Sequence, residues 1–231
     1  MLDFRYMLSI AEALKDQTMK ELERDWNQAV RETQLSEDTI RILQNRINWN
    51  DVSRYQLLSE AFIVEFAEKV NWSLICQYQV LSEDFMRNNA QYLDWEKVSQ
   101  HQFLNESFMF EFHDRLSWSK ISQYQRLSTQ FIHDNANLLD MKLVSRYQSL
   151  DSGGIEALKN KLDMKTVFQY QELTDKFVLE NIREIEDDEN ICDALVLNNN
   201  ISTMIVNVIF RRWVLLYLKK ICANLEVSRN G

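Results

Sequence analysis

The sequence predicts an all-α fold, an α-solenoid of about seven short helical-hairpin repeats with helical caps at both ends. Three observations carry the prediction: tryptophans recur every 23 residues, each period holds two helix-capping side chains, and tight-turn residues are nearly absent. The 231 residues contain no proline and three glycines. Strand-rich folds and Rossmann-type phosphate loops draw on Gly and Pro for their turns, which argues against sandwiches, barrels and nucleotide-binding loops. With 45% hydrophobic and 26% charged residues, the composition is that of a globular chain.

Residues 1–25 read as amphipathic helix, with Leu2, Phe4, Tyr6, Met7, Ile10 and Leu14 as the apolar set, and are expected to cap the N-terminal end. The repeats occupy 26–186. Trp26, Trp49, Trp72, Trp95 and Trp118 set the period, and Met141 and Met164 continue it. Taking that residue as position zero, position three is Val52, Ile75, Val98, Ile121, Val144 and Val167, and position nine is Leu in every unit from Leu35 to Leu173. Position thirteen carries Phe62, Phe85, Phe108, Phe131 and Phe177, which with the tryptophans form the expected repeat core. Position seven is Gln56, Gln79, Gln102, Gln125, Gln148 and Gln171.

Each unit shows two helix starts. Asn48, Asn71, Asp94, Ser117, Asp140 and Asp163 precede position zero, and Ser36, Ser59, Ser82, Asn105, Ser128, Asp151 and Thr174 stand at position ten. Such side chains accept hydrogen bonds from the free amides of a first helical turn. The first helix is expected from position zero to about eight and the second from eleven to about twenty. Helices this short do not persist alone in water, so each hairpin must gain its order from the next. Residues 187–231, with an apolar stretch from Ile201, are expected to close the other end, making one continuous domain. Gly153 and Gly154 break the pattern, Gly154 standing where neighbouring units have Phe. A hinge, a groove for a partner side chain, or a unit repacked by Ile155 and Leu158 are the readings open there.

Composition also bears on function. Net charge is −9, which argues against a duplex-binding face, since such a face displaces counterions with basic residues. Cys76, Cys192 and Cys222 have no disulfide or zinc spacing and fit a reducing compartment. His101, His113 and His133 share no ligand spacing, so no metal and no cofactor is expected. The stretch Ile201–Leu218 contains Arg211 and Arg212, each disfavoured at mid-bilayer by about 2.5–3.5 kcal/mol, so no membrane span is expected. No secretory signal is visible at the N-terminus. The Tyr-Gln pairs at positions six and seven resemble base-reading pairs of helical RNA-binding repeats, yet their constancy suits a structural ladder better than a code. Glutamines bonding backbone groups left free between helices are the expectation.

Residues 118–132, running Trp-Ser-Lys-Ile-Ser-Gln-Tyr-Gln-Arg-Leu-Ser-Thr-Gln-Phe-Ile, resemble a short repeat found in large DNA viruses of amoebae and in some bacteriophages. The Ile-Ser, Tyr-Gln and Leu-Ser-Glu-x-Phe elements carry this resemblance over about 26–186. It implies a viral origin and an intracellular setting in the host cytoplasm, a viral factory or the virion, and it brings no catalytic residue. Together these readings predict a non-enzymatic scaffold that binds a host or viral protein. A structural or virion-associated role is the alternative, followed by single-stranded nucleic-acid binding. The C-terminal helix, through Trp213, Leu215 and Leu216, is a candidate homodimer seam.

Overall fold

The computed structural model describes residues 24, 26–181, 193–195, 197, 198, 201–211 and 214. The N-terminal cap, Cys192, Cys222 and the proposed seam at Trp213, Leu215 and Leu216 lie outside the described residues. Among those described, every regular element is helical. The order is α1 (26–32), α2 (Glu37–Leu43), α3 (Trp49–Tyr55), α4 (Glu60–Glu65), α5 (Trp72–Tyr78), α6 (Glu83–Asn88), α7 (Trp95–His101) and α8 (Glu106–Glu111). It continues with α9 (Trp118–Tyr124), α10 (Thr129–Asp134), α11 (Met141–Tyr147), α12 (Ser152–Leu158), α13 (Met164–Tyr170) and α14 (Asp175–Glu180).

The chain is an α-solenoid of short repeats, and first helices stack on first helices. α3 packs on α5 and α5 on α7, while α9 packs on α11 and α11 on α13. Contacts divide the chain into two compact units, Met1–Leu116 and Ser117–Gly231, where the sequence alone suggests one continuous domain. The division falls between positions twenty-one and twenty-two of a repeat. A stack in which each hairpin touches only its neighbours has no central core that would forbid such a boundary.

The caps lie where the sequence places them. Asn71 accepts from Leu74 N–H, Asp94 from Lys97 N–H and Asp163 from Thr166 N–H. At the second helices Ser59, Ser82, Asn105, Ser128 and Thr174 each accept from the N–H of the Phe three residues on. The helix ends differ from expectation. First helices stop at position six, because the glutamine at seven is extended, with φ near −90° and ψ near 150° at Gln79 and Gln102. Second helices mostly stop at sixteen, where the backbone bends into a tight turn closed by bonds such as Lys69 N–H to Phe66 O at 2.9 Å.

Most fully buried residues lie at positions three, four and fourteen, joined by Phe62, Phe108 and Leu158. Isolated helices of six or seven residues lack the length to hold together, so this interlocked burial is what orders them. Trp26, Trp49, Trp72, Trp95 and Trp118 are half-buried. Trp49, Trp72 and Trp95 close the turn of the preceding hairpin: their Nε1–H donates to Gln44 O, Ala67 O and Ala90 O at 2.9, 3.0 and 3.2 Å. Trp49 and Trp95 also lie 4.9 Å from Phe66 and Phe112.

Gly153 and Gly154 lie inside α12, which starts at position eleven like its counterparts, and neither has positive φ. A Cβ at Gly154 would sit 3.0 Å from Thr129 Oγ1 and 3.2 Å from Asp151 Oδ1. The hinge and partner-groove readings give way to a close approach of α12 to α10, with Ile155 and Leu158 fully buried as the filling side chains. Beyond α14, residues 193–195 and 203–211 are helical. Ser202 accepts from Ile205 N–H, while Leu195, Ile205 and Ile209 are buried.

Candidate functional site

The glutamines form a ladder. Gln79 Nε2 donates to Ser53 O at 3.1 Å and Gln56 O at 2.8 Å, and its Oε1 accepts from Leu58 N–H at 3.1 Å. Gln148 repeats the set with Ser122 O, Gln125 O and Leu127 N–H at 2.9, 2.8 and 3.2 Å. Gln56, Gln102 and Gln171 bond the equivalent groups. Each amide therefore satisfies the backbone left open where the preceding first helix ends. Among the described residues no buried side-chain nitrogen or oxygen lacks a partner. Amides so committed have no edge left to read a base.

Asn198, which the period does not mark, takes the glutamine's place at the last rung. Its Nδ2 donates to Phe168 O at 2.8 Å and Gln171 O at 2.9 Å. The signal is lost in sequence because the spacing slips after Glu180, and an asparagine out of register shows no periodicity.

Position four binds neighbouring hairpins from the other side. Ser53 Oγ donates to Trp49 O at 2.7 Å and accepts from Asn71 N–H at 2.9 Å, and Ser122 and Ser145 do the same toward Asp140 and Asp163. The thiol of Cys76 occupies this slot, and burial pushes its pKa up to about 11. A neutral, enclosed thiol is a poor nucleophile. His101, His113 and His133 are exposed, and among the described residues no three metal-ligating side chains gather. No helix of the described residues is long and apolar enough to cross a membrane.

The remaining constellation is on the surface, and the two units differ in it. Tyrosines at position six form a row: Tyr55 and Tyr78 in the first unit, Tyr124, Tyr147 and Tyr170 in the second, each 40–47% exposed. The Arg54 guanidinium stands 5.2 Å from the Tyr55 ring and 5.0 Å from Tyr78, and Arg146 stands 5.1 and 4.4 Å from Tyr147 and Tyr170. In the second unit, Tyr147, Tyr170, Ser149, Glu172, Thr129 and Ser152 line one open groove of about 680 Å³. In the second unit rows six, eight and eleven thus share a groove. In the first unit, row eight is Gln34, Leu57, Val80 and Phe103, and the three apolar members are 76%, 86% and 90% exposed.

Row eleven of the first unit is Glu37, Glu60, Glu83 and Glu106. Glu37, Glu60 and Glu83 each accept through Oε1 from the backbone N–H of the next unit's capping residue, at 2.8, 2.6 and 2.8 Å. Sequence reading places row eight on the surface, but the company it keeps depends on how hairpins stack. No family model, no curated protein and no solved structure matches the chain.

Proposed function

We propose that the protein is a non-enzymatic repeat scaffold whose first unit binds another protein over its exposed row-eight side chains. The observation that carries this reading is Leu57, Val80 and Phe103, three large apolar side chains at one position of successive repeats and largely in solvent. Apolar side chains aligned on a frame that fixes their spacing are suited to burial against a partner. Their backbone is held at each unit by the glutamine rung and the capping side chain, so little ordering would accompany binding. The resemblance of the repeat to those of large DNA viruses of amoebae and bacteriophages supports a viral protein acting inside the host cell. The row-eight surface presents no nucleophile with a base beside it, and the Cys76 thiol is neutral, which favours binding over catalysis.

A photo-crosslinking residue placed at position 80 or 103, and separately at 149 or 172, tests the reading in cells. Adducts to a discrete protein from positions 80 and 103 alone are the expected result. The same adducts from all four positions, or none from 80 and 103, overturn it. Adducts confined to copies of this chain would instead favour the structural role.

A further inference from the structure

We infer that the second unit holds a phosphomonoester between α11 and α13, at a site separate from the row-eight surface of the first. Lys142 and Arg146 on α11 and Lys165 on α13 line one concavity of about 320 Å³, and Asp163, Thr166 and Tyr170 share its wall. All three cations are exposed. Among the described residues no carboxylate pairs with them, whereas Arg31, Arg41 and Arg87 of the first unit each have one at 2.8 Å, from Asp51, Glu65 and Glu111. Asp163 is committed to its own helix, accepting from Thr166 N–H at 2.8 Å. Three cations against one carboxylate leave the concavity at +2 on a chain of net charge −9. Lys142 and Arg146 also stand four residues apart on one helix, a spacing at which like charges destabilise. An anion set among them removes that repulsion.

The first unit shows what the frame alone requires. Arg54 stands between Tyr55 and Tyr78 as Arg146 does between Tyr147 and Tyr170, but the residues in the places of Lys142 and Lys165 are Asn50 and Ser73. Holding a guanidinium against two tyrosines therefore does not call for the lysines. Among the described residues the Arg146 guanidinium makes no hydrogen bond, so its fork of N–H donors is open to a ligand. A phosphomonoester brings a charge of about −1.5 to −2 and three acceptor oxygens, which match the charge and the donors of the site. One carboxylate supplies half that charge. A nucleic-acid strand needs a track of cations along its backbone. Here Gln123 and Gln169 take the place of Arg146 on α9 and α13, and the adjoining groove, which shares Arg146 and Tyr170, presents Asp151 and Glu172.

The test titrates the full chain, at low salt, into a fluorescein-labelled peptide Gly-Ala-phosphoserine-Ala-Gly and reads anisotropy. Comparison probes carry serine or a glutamate pair in place of the phosphoserine, and a labelled oligothymidylate stands for phosphodiesters. Saturable binding of the phosphopeptide is expected, with every comparison probe weaker by about tenfold or more. Unlabelled phosphopeptide and free O-phosphoserine then compete: equal displacement identifies a free phosphomonoester as the ligand, and displacement by the peptide alone a phosphorylated chain. The double variant Lys142→Asn with Lys165→Ser, which copies the first unit, is expected to weaken binding by about tenfold or more. Arg146→Gln, which copies the neighbouring units, is expected to weaken it by about tenfold, and Arg54→Gln to leave it unchanged. Since each substitution is a residue found at that position elsewhere in the repeat, the variants should keep the parent's urea midpoint. No saturation, equal binding of the serine or glutamate peptide, tighter binding of oligothymidylate, or parent-like binding by either second-unit variant overturns the inference. An equal loss from Arg54→Gln overturns it too.

Discussion

Position eight reads Gln34, Leu57, Val80 and Phe103 in the first unit and Arg126, Ser149 and Glu172 in the second, on backbones that make the same hydrogen bonds. The glutamine rungs at Gln79 and Gln148 differ by no more than about 0.2 Å in any bond. The contrast separates two kinds of position. Inward residues answer to the adjacent hairpin, which is nearly the same everywhere, so they hold their identity. Outward residues answer only to solvent and to whatever binds, so one unit exposes Leu57, Val80 and Phe103 and the other lines a hydroxyl-rich groove.

If the frame is shared, removing a rung should cost the same in either unit. Gln79→Leu and Gln148→Leu each leave two carbonyls and one N–H without their partner. Each should lose about 3 kcal/mol of stability, at about 1 kcal/mol or more per buried unpaired group, read from urea denaturation. A loss in one unit and none in the other would break the comparison.

The next effect concerns the second unit's departure at Gly154. Because Thr129 and Asp151 already enclose that site, Gly154→Phe should destabilise by about 1–3 kcal/mol through overpacking, visible as a lower melting temperature. This reverses the sign that an empty pocket would give.

Cys76 distinguishes the first unit, since the second carries Ser122 and Ser145 at position four. The folded thiol titrates at about 11 against an ordinary 9.0. From pH 9 upward the unfolded chain releases that proton first, so its contribution is present below pH 9 and lost as pH rises toward 11. Between pH 8 and 10.5 the wild type should lose about 2 kcal/mol more than Cys76→Ser, measured by urea midpoints at the two pH values. Equal losses would mean the thiol is not enclosed.

The smallest expected effect is a gain. A Cβ at Gly153 would meet only Asp151 Oδ1, at an ordinary 3.6 Å. Gly153→Ala should therefore stabilise by about 0.5–1 kcal/mol through helix propensity, detectable as a higher melting temperature. No gain at Gly153 would show that α12 is strained beyond the contact at Gly154.

The period, the two caps in each unit and the ladder residue are written in the sequence because each follows from local chemistry repeated at a fixed interval. An Asn, Ser or Asp before a helix bonds the amides of its own first turn wherever the rest of the chain lies. A glutamine held at one register position has a constant neighbour to answer to. What only tertiary structure decided are the features that depend on a neighbour's coordinates. The stacking turns the tryptophans into half-buried clasps on the preceding turn, ends the first helix at the glutamine, and brings Thr129 against Gly154. It also sets rows six, eight and eleven around one groove in the second unit. Asn198 completes the ladder from a place the period does not reach, because a hydrogen bond is satisfied by position in space and not by register in the chain.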